Sequence, residues 1–250
     1  MRIAFDLDGV LADLHEPFVR EARALFPSLD AASLTLADVG ASPTGDRAAA
    51  TPARLPALDH GPTPEQSDAV WRSLAARPDF WETLAECEPG TIARLAALAE
   101  ERRWDVLFIT SRPTSAGRTV QRQTQRWLQR HGFDLPSVYV VHGSRGQVAA
   151  ALRLDAVIDD RPDNCLDVVL ESRAAAILVW RGAPGTVPAS AKRLGIATTS
   201  TVRECLDALI EADEATDGTG VLDRLRRLFG VRTRSAASFL REQTPGRSRS

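Results

Sequence analysis

Ile3-Ala4-Phe5-Asp6-Leu7-Asp8-Gly9-Val10 joins an apolar run to two carboxylates one residue apart and then to a glycine. Such a run predicts a buried strand. Alternation along it puts Asp6 and Asp8 on one side, with Phe5 and Leu7 on the other. Two carboxylates then converge at the carboxyl end of a strand, which is where open α/β sheets bind ligands. Like charges that close repel unless a cation or a proton lies between them. The pair therefore points to a divalent metal, and oxygen ligands alone favour magnesium over zinc. Gly9 permits a sharp turn and close approach of a ligand to the backbone. Two plainer readings share these residues, a polar strand exit and a fragment of a calcium loop. A calcium loop needs further oxygen side chains at alternating positions, whereas Val10, Leu11 and Ala12 follow here.

Downstream, apolar runs alternate with helical patterns. A helix is predicted over 89–103, where Ile92, Leu95, Ala96 and Leu98 make an apolar face. A buried strand follows at 105–109, a helix at 117–130, a strand at 138–141 and a helix at 145–152. Then come a strand at 156–158, a helix at about 164–170, a strand at 176–180 and a closing helix at 201–212 capped by Thr201. Continuous apolar strands separated by helices predict an α/β protein with a mainly parallel, five-stranded sheet covered on both faces, a Rossmann-like three-layer sandwich. Residues 14–84 interrupt the alternation. They read as a small helical insertion after the first strand, with helices at 16–25 and 65–76. Between these lies a stretch over 39–64, rich in Pro, Gly, Ala, Ser and Thr, expected to be loop or disordered. The α/β core is thus expected over 1–13 and 85–213.

With 250 residues and 44% apolar side chains, one large domain or a core with an inserted subdomain is expected. No signal segment and no apolar run of membrane-spanning length is apparent, so a cytoplasmic protein is expected. Cys87, Cys165 and Cys205 fit no metal or redox spacing. The net charge of -2 hides an asymmetry: residues 221–250 hold eight arginines against Asp223 and Glu242. A short basic helix is predicted over 221–229 and a disordered end over 243–250. That helix could make a weak contact with nucleic acid or an anionic surface, although a solvated or self-docked helix is the commoner case. Oligomeric state is not legible.

Two later strand ends carry polar chemistry. One finishes in Thr110-Ser111-Arg112-Pro113, where hydroxyls at a strand exit could hold a phosphoryl oxygen or merely cap the turn. The other finishes in Asp159-Asp160-Arg161-Pro162-Asp163-Asn164. An acidic pair there has no packing purpose and is costly beside other carboxylates without a cation. If these strands flank the first, Asp6, Asp8, Thr110 and one of Asp159 and Asp160 meet at a single rim.

At this point the residues resemble the haloacid dehalogenase superfamily of phosphatases. The first motif is similar to Asp6-Leu7-Asp8-Gly9-Val10, the second to Phe108-Ile109-Thr110-Ser111 and the fourth to Ile158-Asp159-Asp160. Pro78-Asp79-Phe80-Trp81-Glu82-Thr83-Leu84, the Ile-Thr-Ser-Arg-Pro run and Ile-Asp-Asp-Arg-Pro-Asp-Asn resemble the 5'(3')-deoxyribonucleotidase branch. The resemblance implies a magnesium-dependent phosphomonoesterase in which Asp6 is the nucleophile and Asp8 the acid and base. Magnesium would be held by Asp6, the main-chain carbonyl of Asp8, and Asp160 or Asp159. Thr110, Ser111 and a cation would hold the phosphate. It implies a small phosphorylated metabolite as partner, nucleoside monophosphates first and sugar phosphates next. The insertion would then be a cap on which Phe18, Trp71, Phe80 and Trp81 either stack on a base or pack among themselves.

One departure is plain. The family's third motif supplies a lysine before the fourth strand, and the single lysine, Lys192, comes after it. Arg145, in Gly143-Ser144-Arg145-Gly146-Gln147, stands where that lysine is expected. It either replaces the lysine or is an exposed helix-start arginine. The missing lysine keeps a catalytically weak binding protein as a rival reading.

Overall fold

The computed structural model describes residues 1–29 and 62–214, with Arg224 and Arg227 beyond them. Most of the loop expected over 39–64, and all but two residues of the tail expected over 221–250, fall outside the described residues.

The first strand, β1 (Arg2–Phe5), is followed by β2 (Ala12–Asp13), α1 (His15–Leu25), α2 (Pro64–Ala75) and β3 (Ala85–Glu86). The alternation then runs α3 (Thr91–Arg102), β4 (Asp105–Thr110), α4 (Val120–Arg130), β5 (Ser137–Val140), α5 (Arg145–Leu152) and β6 (Ala156–Asp159). It closes with α6 (Pro162–Glu171), β7 (Ala175–Val179), α7 (Ala189–Leu194), β8 (Ala197–Thr199) and α8 (Val202–Glu214). Helix starts follow local chemistry. Thr63 and Gln66 form a reciprocal capping box at α2, and the hydroxyls of Thr119, Ser144 and Thr201 accept the orphan amides of α4, α5 and α8.

The main sheet has the order β5-β4-β1-β6-β7-β8 and every pairing in it is parallel. Phe5 lies level with Phe108 on one side and Ile158 on the other. Ile3, Phe5, Phe108, Ile158 and Ile177 pack into one hydrophobic layer with α3, α4 and α8. Ala4, Leu107, Val157 and Leu178 pack into the other with α5, α6 and α7. This is the expected three-layer α/β sandwich, with six strands in the sheet in place of five. β8 was missed because Ala-Thr-Thr is three residues with one apolar side chain, and α7 because six residues carry too little periodicity.

Chain order outward from β1 reverses direction at that strand, since β4 lies on one side and β6 on the other. β1 therefore sits at the topological switch point, and its carboxyl end opens into the crevice where such sheets bind ligands. Just beyond it β2 pairs antiparallel with β3, Ala12 level with Glu86 and Asp13 with Ala85. Between these two strands α1 packs on α2. Phe18, Trp71 and Leu74 are buried there, and Glu21 holds Ser73 and Arg77. Their buried side chains are continuous with the hydrophobic layer under the sheet.

Candidate active site

β1 ends at Phe5, but the backbone ladder extends one step further: the Asp6 amide donates to the Ile158 carbonyl at 2.8 Å. That bond fixes Asp6 beside the end of β6, where Asp159 and Asp160 follow. Oxygens of Asp6, Asp159 and Asp160 lie within 4.8 Å of one another. Burial, and then the charge of Asp159, raise the Asp6 carboxyl well above the ordinary range, while Arg145 pulls it back. Burial and the same neighbour push Asp160 up to about 8. Asp159 is raised by burial and opposed by Arg145, by the Arg161 amide at 2.9 Å and by the Asn164 side-chain amide at 2.9 and 3.0 Å. Three carboxyls whose ionised forms are this unfavourable call for a compensating cation. All their donor atoms are hard oxygens, which suits magnesium.

Arg145 is the first residue of α5, and its guanidinium is buried. Nη2 donates to Asp6 Oδ1 at 3.1 Å, Nη1 donates to the Val141 carbonyl at 3.4 Å, and Nε lies 3.6 Å from Asp159 Oδ2 without a hydrogen bond. The arginine thus sits against the carboxylates and not on the surface. Lys192 lies on α7, which follows β7 in chain order.

Thr110 ends β4 and is buried, and its hydroxyl accepts from the Arg112 amide at 3.3 Å. Ser111, next along, is half-buried. The adjacency of β1, β4 and β6, on which the expected convergence depended, is present.

Asp8 lies beyond the end of β1 on a turn, with the Leu11 and Ala12 amides both donating to the Leu7 carbonyl. Its charge still acts on Asp6 and Asp160, raising both. The Asp8 carboxylate accepts from Arg112, whose Nε lies 3.1 and 2.8 Å from its oxygens and whose Nη2 lies 2.7 Å from Oδ1. Period-two reasoning holds only while the backbone stays extended. Arg112, in the run Thr110-Ser111-Arg112-Pro113, was not anticipated as a site residue. A charged residue at an apolar strand exit was a signal, but its partner lies 104 residues earlier.

Of the two readings of the four aromatic side chains, packing is the one the structure supports. Phe18, Trp71, Phe80 and Trp81 are all buried and pack on one another, with ring centroids 5.5 Å apart for Phe18–Trp71, 6.3 Å for Trp71–Trp81 and 5.0 Å for Phe80–Trp81. Their apolar area is used for packing, which removes them as base-stacking surfaces. A cavity of about 290 Å³ beside Gly9 is lined instead by Asp13, Leu14, His15, Cys87 and Arg181. Arg181 was not anticipated. It donates to the Gly9 and Val10 carbonyls at 3.1 and 2.9 Å and pairs with Glu88 at 2.8 Å, which pins the turn after Asp8. Burial pushes the Cys87 thiol up to about 12, so it is no nucleophile at neutral pH.

Gly9 has φ of +84°, and a Cβ there would collide with Asp160 Oδ2. Gly9→Ala is therefore expected to displace the Asp160 carboxylate and add about 1–2 kcal/mol of backbone strain. Isothermal titration should show magnesium affinity at least about tenfold weaker, a loss of about 1.4 kcal/mol. Unchanged affinity would remove Asp160 from the metal site.

A switch-point strand that leads into two aspartates, a neighbouring hydroxyl strand end and an acidic pair across the crevice resemble the arrangement of the haloacid dehalogenase superfamily. Within it the chain resembles the 5'(3')-deoxyribonucleotidase branch. It is 30% identical over 165 residues to the mitochondrial 5'(3')-deoxyribonucleotidase of Mus musculus, covering 65% of this chain and 66% of that protein. The identity to the Homo sapiens protein of the same name is also 30% over 165 residues, covering 65% and 63%. The match thus spans slightly less than two thirds of each relative. No family model matches the chain. Among solved structures, a HAD family hydrolase from Deinococcus radiodurans R1 with bound phosphate and sodium has a TM-score of 0.53 at 19% identity, covering 85% of this chain and 95% of that one. A hydrolase from Pseudomonas syringae has a TM-score of 0.50 at 16% identity, covering 84% and 99%. At such identities these two establish the fold. Among the described residues no helix is long and apolar enough to cross a membrane.

Proposed function

We propose that this chain is a magnesium-dependent phosphomonoester hydrolase that works through a phosphate carried covalently on Asp6, with nucleoside 5'(3')-monophosphates as substrates. The observation that carries the reading is the meeting of Asp6, Asp159 and Asp160 within 4.8 Å, with the Arg145 guanidinium 3.1 Å from Asp6. Asp6 and one or both of Asp159 and Asp160 would hold the ion, together with the main-chain carbonyl of Asp8. When bound, magnesium offsets the charge of the transferring phosphoryl group.

The chain's own groups divide the remaining work. A carboxylate oxygen of Asp6 attacks phosphorus in line with the departing alcohol, which splits one difficult hydrolysis into two easier steps. Asp8 gives its proton to the leaving oxygen and afterwards takes one from the water that releases phosphate. Arg145, in the place of the family's lysine, neutralises equatorial oxygens together with the hydroxyls of Thr110 and Ser111. The contact between Arg145 and Asp6 weighs against an inactive scaffold, because it supplies the cation whose absence motivated that alternative.

Residues 14–84 act as the cap, and the 290 Å³ cavity beside Gly9 receives the alcohol part of a small phosphorylated metabolite. Support for a nucleoside in that position is the name borne by the mouse and human relatives. The test is phosphate release from nucleoside monophosphates and sugar phosphates, with magnesium and with a chelator. Chelation should abolish release, and nucleoside monophosphates should lead sugar phosphates by at least about tenfold in kcat/KM. Turnover indifferent to chelator would overturn the mechanism, and a lead for sugar phosphates would overturn the substrate class.

A further inference from the structure

Arg112 has no part in the scheme above, yet it is among the most completely enclosed charges in the protein. Its side chain has no exposed surface, while that of Asp8 keeps 18%. Nε and Nη2 engage both Asp8 oxygens, and Nη1 donates to Thr124 Oγ1 at 2.9 Å. The guanidinium carbon lies 4.7 Å from the Trp81 ring centroid and 5.9 Å from that of Trp127. Trp81 is itself fixed, its amide donating to Gln123 at 3.0 Å and its indole N–H to the Pro113 carbonyl at 3.2 Å. Among the described residues the Asp8 carboxylate has no hydrogen-bond donor other than Arg112.

A buried charge is tolerated only when paired and hydrogen-bonded, and a planar fork fixes the plane of the carboxylate it holds. Asp8 stands on a turn beyond the end of β1, so the strand does not set its direction. We propose that Arg112 is the positioning residue of Asp8. It aims that carboxyl at the leaving oxygen, and Trp81 and Thr124 hold the aim. The inference rests on the proton-transfer role given to Asp8 above. In that step the Asp8 O–H proton passes to the bridging oxygen as the P–O bond breaks. The bond's electron pair stays on the alcohol oxygen, and the Asp6–phosphorus bond forms. A misdirected donor penalises an alkyl ester, whose oxygen leaves poorly as an anion, and spares a nitrophenyl ester, whose oxygen leaves readily unprotonated.

The experiment measures kcat/KM, which reports steps only up to loss of the alcohol, for a nucleoside monophosphate and for p-nitrophenyl phosphate. It is run on the full chain with magnesium, as wild type, Arg112→Met, Arg112→Lys and Thr124→Val. In Arg112→Met the alkyl ester is expected to lose about 100-fold and the nitrophenyl ester less than about fivefold. Arg112→Lys, which keeps the charge but not the fork, falls between, and Thr124→Val shows a weaker loss of the same selectivity. Thr124→Val keeps the question open to test should both arginine variants fail to fold. Equal losses on the two esters in a folded variant, or no ester-selective loss in Thr124→Val, would overturn the positioning role and leave the phosphatase reading standing. A wild-type protein inert on both esters would remove the phosphatase reading, and the proposal with it.

Discussion

Asp6→Asn is expected to cut phosphate release from an aryl phosphate by at least about 10⁴-fold, the scale on which removal of a covalent nucleophile acts. The same substitution should leave the metal-free fold as stable as the wild type, or more so. Asp6 is buried against Asp159, and both carboxyls are raised above their ordinary range. Replacing one by an amide removes a repulsion, and the amide oxygen can still accept from Arg145. Activity and stability therefore move in opposite directions, the signature of a group kept for chemistry at the expense of the fold. Steady-state phosphate release and a thermal melt on the same sample give both readouts. Undiminished turnover would exclude Asp6 as the nucleophile. Lost turnover with a much lower Tm would show instead that its role is structural.

Arg145→Leu is the complementary case, expected to lose both properties. Arg145 is buried against Asp6 and Asp159, and removing one partner of a buried ion pair leaves the other charge uncompensated, at a cost of about 3–5 kcal/mol. The pH dependence has a definite sign. Arg145 lowers both carboxyls, so its loss raises their folded values further above those of the unfolded chain. A carboxyl raised by folding destabilises the fold as pH climbs above its unfolded value, and has no effect below it, where both states are protonated. The Tm deficit of Arg145→Leu should therefore be largest at alkaline pH and shrink toward pH 4. Added magnesium should recover part of it, since a cation at the three aspartates compensates the same charges. Phosphate release should fall about 10²–10³-fold, the effect of losing one preorganised cation or donor from a transition state. A pH-independent deficit would show that Arg145 acts through packing.

Local patterns carried much of this reading. Strands β1, β4, β6 and β7 were legible because continuous apolar runs mark strands buried on both faces, and the helices because their caps and periodicity agree. Asp6, Thr110, Asp159 and Asp160 stood out as polar groups where an apolar strand stops. Arg145 stood out by its place in the motif order. Two points stayed open at the level of local rules. Strand alternation beyond Phe5 did not show which group holds Asp8, and the aromatic side chains of 14–84 had two readings, of which the structure supports packing on one another.

Covalent order alone dictated the kind of fold, the strand ends at which chemistry is possible and the residue types found there, because these depend on period, capping and charge within a few residues. The folded chain settled which strand ends meet. It also turned Asp8 toward Arg112, set Arg145 against Asp6, buried the aromatic cluster and added a sixth strand. Those outcomes depend on contacts beyond the reach of local pattern, such as the 104 positions that separate Asp8 from Arg112 and the 139 that separate Asp6 from Arg145. There packing and the cost of an unpaired buried charge choose among arrangements that local sequence leaves equivalent.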